Sequence, residues 1–334
     1  MRLWAFRVVL ACVPVFVLLA VEGVLRLVPG TGYPPLLLTL ARSGKVVLKS
    51  TNAVFPERFF QQRYEGALLA SGRMRAEPYL DDPAVHRYRV VIAGASTVQG
   101  YPHPHRLAFP AFLQSMLADG LAQSQVEVFN LGITSIASFA VARTVDEALV
   151  LNPDVIIIYS GHNEYYGIYG AGAHRSAWAT RLHYGLMSWR LPRSLQSMLD
   201  LIGGSRVSSE QLLESMARRG EVGLEDGRRR AAVERLAQNL AAAVRVCRDF
   251  GVRPVLCTLA ANEEGFAPAG SVFPDSSSTA GGLWWSHVEA ARVAMRDAGQ
   301  DAAGTALERF DAAADLFGDA AWLAFLRGQA LRRL

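Results

Sequence analysis

Ser96 stands two residues after the apolar run YRVVIAG (88–94), in the stretch AGASTVQG, with small neighbours on either side. A serine hydroxyl is a weak nucleophile. To attack an ester carbonyl it needs a base beside it and hydrogen-bond donors aimed at the oxygen that becomes negative in the tetrahedral intermediate. Candidate donors recur at two further places. VEVFNLG (126–132) ends on Gly132, whose backbone N–H can approach a ligand closely because no Cβ intervenes. DVIIIYSG (154–161) leads to Asn163 in SGHNEYYG, whose side-chain amide carries two N–H groups. Alone, Ser96 reads as a turn or helix N-cap serine; with Gly132 and Asn163 in matching places it reads as the nucleophile of an acyl transfer.

For these residues to meet, the runs that carry them must be neighbouring strands. Four short apolar runs, 88–94, 126–132, 154–161 and 252–260, alternate with segments of helical length. LAFPAFLQSMLADGLA and SIASFAVARTVDEALVLNP separate the first three, and RRRAAVERLAQNLAAAVRVCRDFG (228–251) precedes the fourth. Strands alternating with helices predict an α/β domain, a parallel sheet with helices on both faces. Three of the runs stop at Gly94, Gly132 and Gly161, and ligands of open α/β sheets bind at that carboxyl edge. Residues 165–227 break the alternation and read as an insertion or lid above the sheet.

The remainder of the 334-residue chain lies on either side of this domain (88–282). VVLACVPVFVLLAV (8–21) follows Arg2 and Arg7 and, extended through EGVLRL, reaches the roughly twenty residues a bilayer core requires. Residues 1–28 are therefore expected to form an uncleaved transmembrane anchor. The basic N-terminus is expected on the cytoplasmic side of a bacterial cytoplasmic membrane, with the main domain on the periplasmic or extracellular side. Residues 29–87 hold turn signals and scattered aromatics and are expected to be a juxtamembrane segment that packs on the domain. From 283 to 334 the sequence is alanine-rich, and Ala294 and Gly328 stand thirty-four residues apart with Ala306, Phe310 and Ala313 between them. That period resembles a tetratricopeptide repeat and the start of another, a surface for a protein partner; an ordinary helical hairpin is the alternative.

Composition excludes several classes. The 34 basic and 30 acidic residues are mixed along the chain, so nothing marks a nucleic-acid binder. Three cysteines make no disulfide framework; a Cys247–Cys257 bridge and two buried thiols are the alternatives, with the thiols favoured. GASTVQGY lacks the glycine, lysine and Ser/Thr of a phosphate loop, and no glycine stands two residues after Gly94 as a dinucleotide fingerprint requires. The nucleophile elbow Gly-x-Ser-x-Gly is broken by Val98. His103 and His105, with His162, have no carboxylate or cysteine spaced to complete a metal site. Neither a metal nor a cofactor is called for.

In order and spacing, AGASTVQG, FNLGITS and YSGHNEYYG resemble the serine, glycine and asparagine motifs of the SGNH (GDSL-like) hydrolases, over residues 86–164 and more loosely over 228–260. The resemblance implies a flavodoxin-like α/β fold and ester cleavage. It implies Ser96 as nucleophile, with its own N–H, Gly132 and Asn163 as the oxyanion hole and His162 lining the site. The anchor and repeat-like tail resemble a bacterial subgroup that joins such a domain to tetratricopeptide repeats. The sequence departs from the family at Ala95 and Glu164, where the family has aspartates, and at the base. The family's base is a histidine three residues after an aspartate, and the sequence contains no Asp-x-x-His. Of His86, His103, His105, His162, His174, His183 and His287, only His287 follows the last strand, in a helical stretch with no acid nearby to orient it. The missing pair is expected beyond Leu334, in a longer chain.

Two functions stay open. One is a membrane-anchored esterase acting on acyl esters, carbohydrate O-acetyl groups among them, which the aromatic run EYYGIYG would suit. The other is a domain without its base that serves, with the repeat-like helices, as a protein-interaction module.

Overall fold

The structure is a computed structural model that describes residues 2–60, 74–121, 125–170, 176–202, 226–260, 265–268, 271–297 and 300–334. It divides into two units, the first made of 1–219 and 230–259 and the second of 220–229 and 260–334. In the first unit, helix α1 (Arg2–Leu27) and strands β1 (Leu37–Ser43), β2 (Val46–Thr51) and β3 (Pro78–Asp81) precede the region where alternation begins.

That region forms the expected parallel sheet. Strands β4 (Tyr88–Gly94), β5 (Val126–Gly132), β6 (Val155–Tyr159) and β7 (Arg253–Leu256) lie in the order β5-β4-β6-β7. Counted along the chain this is 2-1-3-4, the ordering of flavodoxin-like sheets. Successive side chains of a strand point to opposite faces, and the sheet uses both. Val90 and Ile92 pack with Leu113 and Leu117 of the helix Phe109–Gly120 (α3). Val91 and Ala93 face the other way, onto Ala140 and Val145 of α4 (Ser138–Ala148) and Ala243 and Cys247 of a later helix, Gly227–Asp249. A central strand buried on both faces is apolar over most of its length, which makes VVIAG legible as a strand; Arg89 is buried at its start through ion pairs with Asp81 and Glu127. β7 is an edge strand, and its Val255 and Leu256 remain exposed.

The edge position corrects the expectation for the thiols. All three cysteines are free; Cys247 is buried in its helix, but Cys257, one residue past β7, is exposed.

Residues 29–87 contribute a second, antiparallel sheet, β1-β2-β3, which the sequence does not reveal. Its register shifts between Thr39 and Ala41, and β1 is exposed along most of its length, so no period-two pattern marks it. The segment nonetheless packs on the domain as expected: Leu36, Phe55, Phe59, Met74 and Tyr79 are buried in the same cluster as Val91 and Phe129.

The apolar N-terminal run is helical, and Val13, Phe16, Leu18 and Val24 are exposed along it. Among the described residues no helix is long and apolar enough to cross a membrane. In α1 the side chains described without a break cover only 12–27, and that stretch contains Glu22, turned into a protein contact. The expected span is therefore not found. Among the described residues, helices α5 (Ala177–Met187) and α6 (Arg190–Ile202) occupy part of the interruption at 165–227, followed by α7, the Gly227–Asp249 helix. Glu22 accepts the backbone N–H of Arg190 at 3.1 Å and of Leu191 at 2.9 Å, capping the start of α6. Arg190 makes the reciprocal contact: its guanidinium donates to Leu25 O at 2.8 Å, at the end of α1.

Among the described residues the second unit holds helices α8 (Thr279–Ala294), α9 (Gln300–Leu316) and α10 (Ala321–Leu331), packed around Trp284, Phe310 and Leu323. Ala291, Ala306 and Ala313 are fully buried between them, the small side chains letting helices approach closely. Trp284 Nε1 donates to Phe317 O at 3.0 Å, so the one polar atom of this buried ring is satisfied.

Candidate active site

The site is built on register. β4 pairs in parallel with β5 on one side and β6 on the other, and Gly94 sits opposite both Gly132 and Tyr159. Neighbouring strands are about 5 Å apart, so the turns after β4, β5 and β6 leave the same edge of the sheet side by side. Ser96, Gly132 and Asn163 belong to those three turns.

Beyond Gly94 the chain passes through buried Ala95 into a single helical turn, α2 (Ser96–Gln99), closed by Gly100 at φ +96°. Gly100 N–H donates to Ser96 O at 2.8 Å, an ending that needs the left-handed conformation glycine tolerates. This turn lies hard against the strand ends. A Cβ on Gly94 would come within 2.2 Å of Val98 Cγ2, and one on Gly132 within 2.1 Å of Gln99 N. Both glycines are thus needed for packing, whatever else they do. Ser96 is partly exposed, and among the described residues no group hydrogen-bonds its hydroxyl.

Gly132 does not present a free N–H. It donates to Asn130 Oδ1 at 2.9 Å, while Asn130 Nδ2 donates to Val98 O at 2.9 Å. Asn130 therefore ties the end of β5 to the turn that starts with Ser96. The motif FNLG contains the signal, an asparagine two residues before a glycine, since Asn side chains readily accept the N–H two positions on.

Asn163 is buried and donates from Nδ2 to Ile136 O at 3.0 Å. The loop after β6 is thereby stitched to the loop after β5, where Ile136 and Ile168 also pair and Ile168 N–H reaches Ser135 O at 2.8 Å. An amide nitrogen carries two hydrogens, so one hydrogen bond to Ile136 leaves Asn163 a second donor.

Next to it, Glu164 caps α4: its carboxylate accepts Ser138 N–H at 2.8 Å and the Ser138 hydroxyl at 2.7 Å. Asn239 Nδ2 also donates to that hydroxyl, at 2.9 Å. Burial raises the pKa of Glu164, against the lowering effect of the Ser138 hydrogen bonds and of Arg235. This capping role explains why an acidic residue follows Asn163, and the sequence alone does not expose it.

His162 packs edge-on against Tyr159, ring centroids 5.2 Å apart, and its Nδ1 is buried without a partner among the described residues. His105 approaches Gln99 O through Nδ1 at 3.2 Å. His183 lines a small cavity with Tyr33 and Arg193. His287 is on α8 in the second unit, and His174 falls outside the described residues. Among the described residues no three His, Cys, Asp or Glu side chains are grouped to hold a metal.

No protein-family description matches the sequence, and no curated protein matches it either. Solved structures with a likeness to it include proteins described as belonging to the SGNH and G-D-S-L hydrolase families. A protein described as lipolytic, of the G-D-S-L family, from Desulfitobacterium hafniense DCB-2 shares 16% identity over 51% of this chain and 58% of its own, with a TM-score of 0.29. AlinE4, an SGNH-hydrolase family esterase, shares 14% over 51% and 76%, with a TM-score of 0.24. The lipase/acylhydrolase from Enterococcus faecalis shares 15% over 50% and 74%, with a TM-score of 0.24. The chain spans under two thirds of the length of the first of these. At such scores the likeness carries no weight beyond the strand order and register described above.

Proposed function

We propose that the first unit is an SGNH-type serine esterase that cleaves acyl esters, carbohydrate O-acetyl esters among its substrates, through an acyl-enzyme on Ser96. The supporting observation is the register that sets Gly94 beside Gly132 and Tyr159. In this reading the Ser96 hydroxyl attacks the acyl carbonyl, its proton passing through a general base to the alcohol that leaves as the ester C–O bond breaks, and water then releases the acyl group from Ser96 as the carboxylic acid. The oxyanion of each step is met by the Ser96 N–H, the second N–H of Asn163 and the N–H of Gly132. Gly132 serves once the ligand oxygen replaces Asn130 as its acceptor. His162 lines the substrate.

Membrane attachment through residues 1–28, with the catalytic unit on the periplasmic side, belongs to the same proposal. It is supported by the exposed apolar side chains of α1 and by Arg2 and Arg7 in the sequence ahead of them.

A second reading is favoured by two observations: no group among the described residues hydrogen-bonds the Ser96 hydroxyl, and Asn130 holds Gly132 N–H. In it the unit binds without hydrolysing, and helices α8 to α10, as a tetratricopeptide-like surface, bind a protein partner.

Hydrolysis of p-nitrophenyl acetate and of O-acetylated oligosaccharide by the full-length protein separates the two. The esterase reading expects turnover that Ser96→Ala abolishes; turnover equal in Ser96→Ala and the parent protein contradicts it.

A further inference from the structure

Helix α6 is amphipathic the wrong way round for a protein surface, and α5, which packs Tyr184 on the core, exposes an apolar row of its own. In α5, Trp178, Leu182 and Leu186 recur every four residues, and all are exposed, Trp178 by 69%. In α6, Leu195, Met198, Leu199 and Ile202 form one stripe with the i, i+3, i+4, i+7 spacing of a helix face, exposed by 53 to 80%. The polar side of α6 points inward instead: Arg193, Gln196 and Ser197 line the small cavity beside Tyr33 and Arg58. An ordinary surface helix buries its apolar stripe. Here apolar side chains face out on two consecutive helices, the kind of exposed surface that marks an interaction site.

The position and charge of these helices indicate what covers them. The two hydrogen bonds from the start of α6 to Glu22, and that from Arg190 to the end of α1, fix α6 to the helix whose own apolar side chains are exposed. Arg26 lies over the Trp189 ring at 5.9 Å at the same junction. The sequences of the two helices contain Arg181, Arg190 and Arg193 against Asp200 alone. Tryptophan at the margins and a leucine-rich face are the composition of helices that lie in a membrane interface, and exposed Arg181 is placed to meet anionic headgroups, whereas Arg190 and Arg193 are turned to the protein.

We propose that α5 and α6 lie in the lipid headgroup region as an interfacial foot, with Trp178, Leu182, Leu195, Met198 and Leu199 in the acyl boundary. The foot rests on the reading of α1 as a membrane anchor and extends it: the unit is clamped at a fixed orientation to the bilayer instead of swinging on a tether. Residues 164–176 alone join Asn163 to α5. Even fully extended, a connection of that length keeps the sheet edge carrying Ser96 within about 50 Å of the foot.

The test uses the full-length protein with its three cysteines changed to serine and one environment-sensitive fluorophore attached at Val17→Cys, Leu182→Cys or Met198→Cys. Vesicles are phosphatidylethanolamine with phosphatidylglycerol, with or without nitroxide-bearing lipids. Blue-shifted emission and loss of intensity to the nitroxide at all three positions is the expected result, strongest for shallow nitroxides at 182 and 198. Quenching at 17 with water-like emission at 182 and 198 overturns the foot and leaves the anchor standing. No quenching at any position overturns both. A blue shift at 198 without nitroxide quenching means that protein covers the stripe, and also overturns the proposal.

Discussion

Asn130 grips Gly132 from two residues away: its Oδ1 accepts the glycine N–H at 2.9 Å while its Nδ2 holds Val98 O at 2.9 Å. Both hydrogen bonds are buried, and losing the amide would leave both backbone groups unsatisfied. Asn130→Ala is expected to lower stability by about 2–4 kcal/mol, since each buried polar group left alone costs about 1–3 kcal/mol. Asn130→Asp keeps the acceptor for Gly132 and loses the donor for Val98, so it should retain part of that stability. Urea unfolding of the three proteins in detergent checks the order; an unchanged midpoint in Asn130→Ala would show the amide bridge to be dispensable.

Gly132 is a packing residue as well as a candidate donor. A Cβ there meets Gln99 N at 2.1 Å and Gln99 Cα at 2.5 Å, both backbone atoms that move only with the whole α2 turn. Gly132→Ala should cost about 1–3 kcal/mol as overpacking and should also displace Ser96. Thermal unfolding reads the first effect and the rate of Ser96 acylation the second. Wild-type values of both would mean that α2 and β5 are less tightly apposed than described.

Glu77 carries a pH dependence. Its carboxylate accepts Asn130 N–H at 3.0 Å, and its pKa is pushed up to about 7 by burial, with the Asn130 hydrogen bond and nearby Arg75 opposing. The folded protein thus holds a proton there that the unfolded chain, titrating at 4.5, releases. The stability this contributes is full below about pH 4.5 and lost as pH rises through about 7. At about 1.4 kcal/mol per unit, the loss is on the order of 3 kcal/mol. Glu77→Gln should remove this slope: the difference in unfolding free energy between variant and parent should grow in favour of the variant from about pH 5 to about pH 8. A constant difference would place the ionisation elsewhere.

The parallel sheet is legible in the sequence because its central strands β4 and β6 are mostly buried and apolar and each strand is bounded by turn signals, and 88–94 and 126–132 match β4 and β5 to the residue. Helix α7 is legible through its length and Gly251, which follows it at φ +72°. The antiparallel sheet before residue 82 is not, because β1 is exposed and irregular and its buried partners are scattered single residues. At the site, the three motif residues can be placed on one sheet edge from strand ends alone. The hydrogen bonds of Asn130 and Glu164 cannot, because each depends on separate segments meeting at the end of the sheet. The inverted face of α6 is hidden for a similar reason: a helical period shows that a stripe exists, and only the fold shows which way it faces.

The central claim is that Ser96 and Asn163 act on one oxyanion. The direct measurement is the rate at which a fluorophosphonate labels the full-length protein, with the adduct mapped by mass spectrometry. The account predicts one adduct, on Ser96, absent in Ser96→Ala and formed about a hundredfold more slowly in Asn163→Ala, the effect typical of removing one oxyanion donor. An adduct elsewhere, or a Ser96 labelling rate indifferent to Asn163, would contradict it.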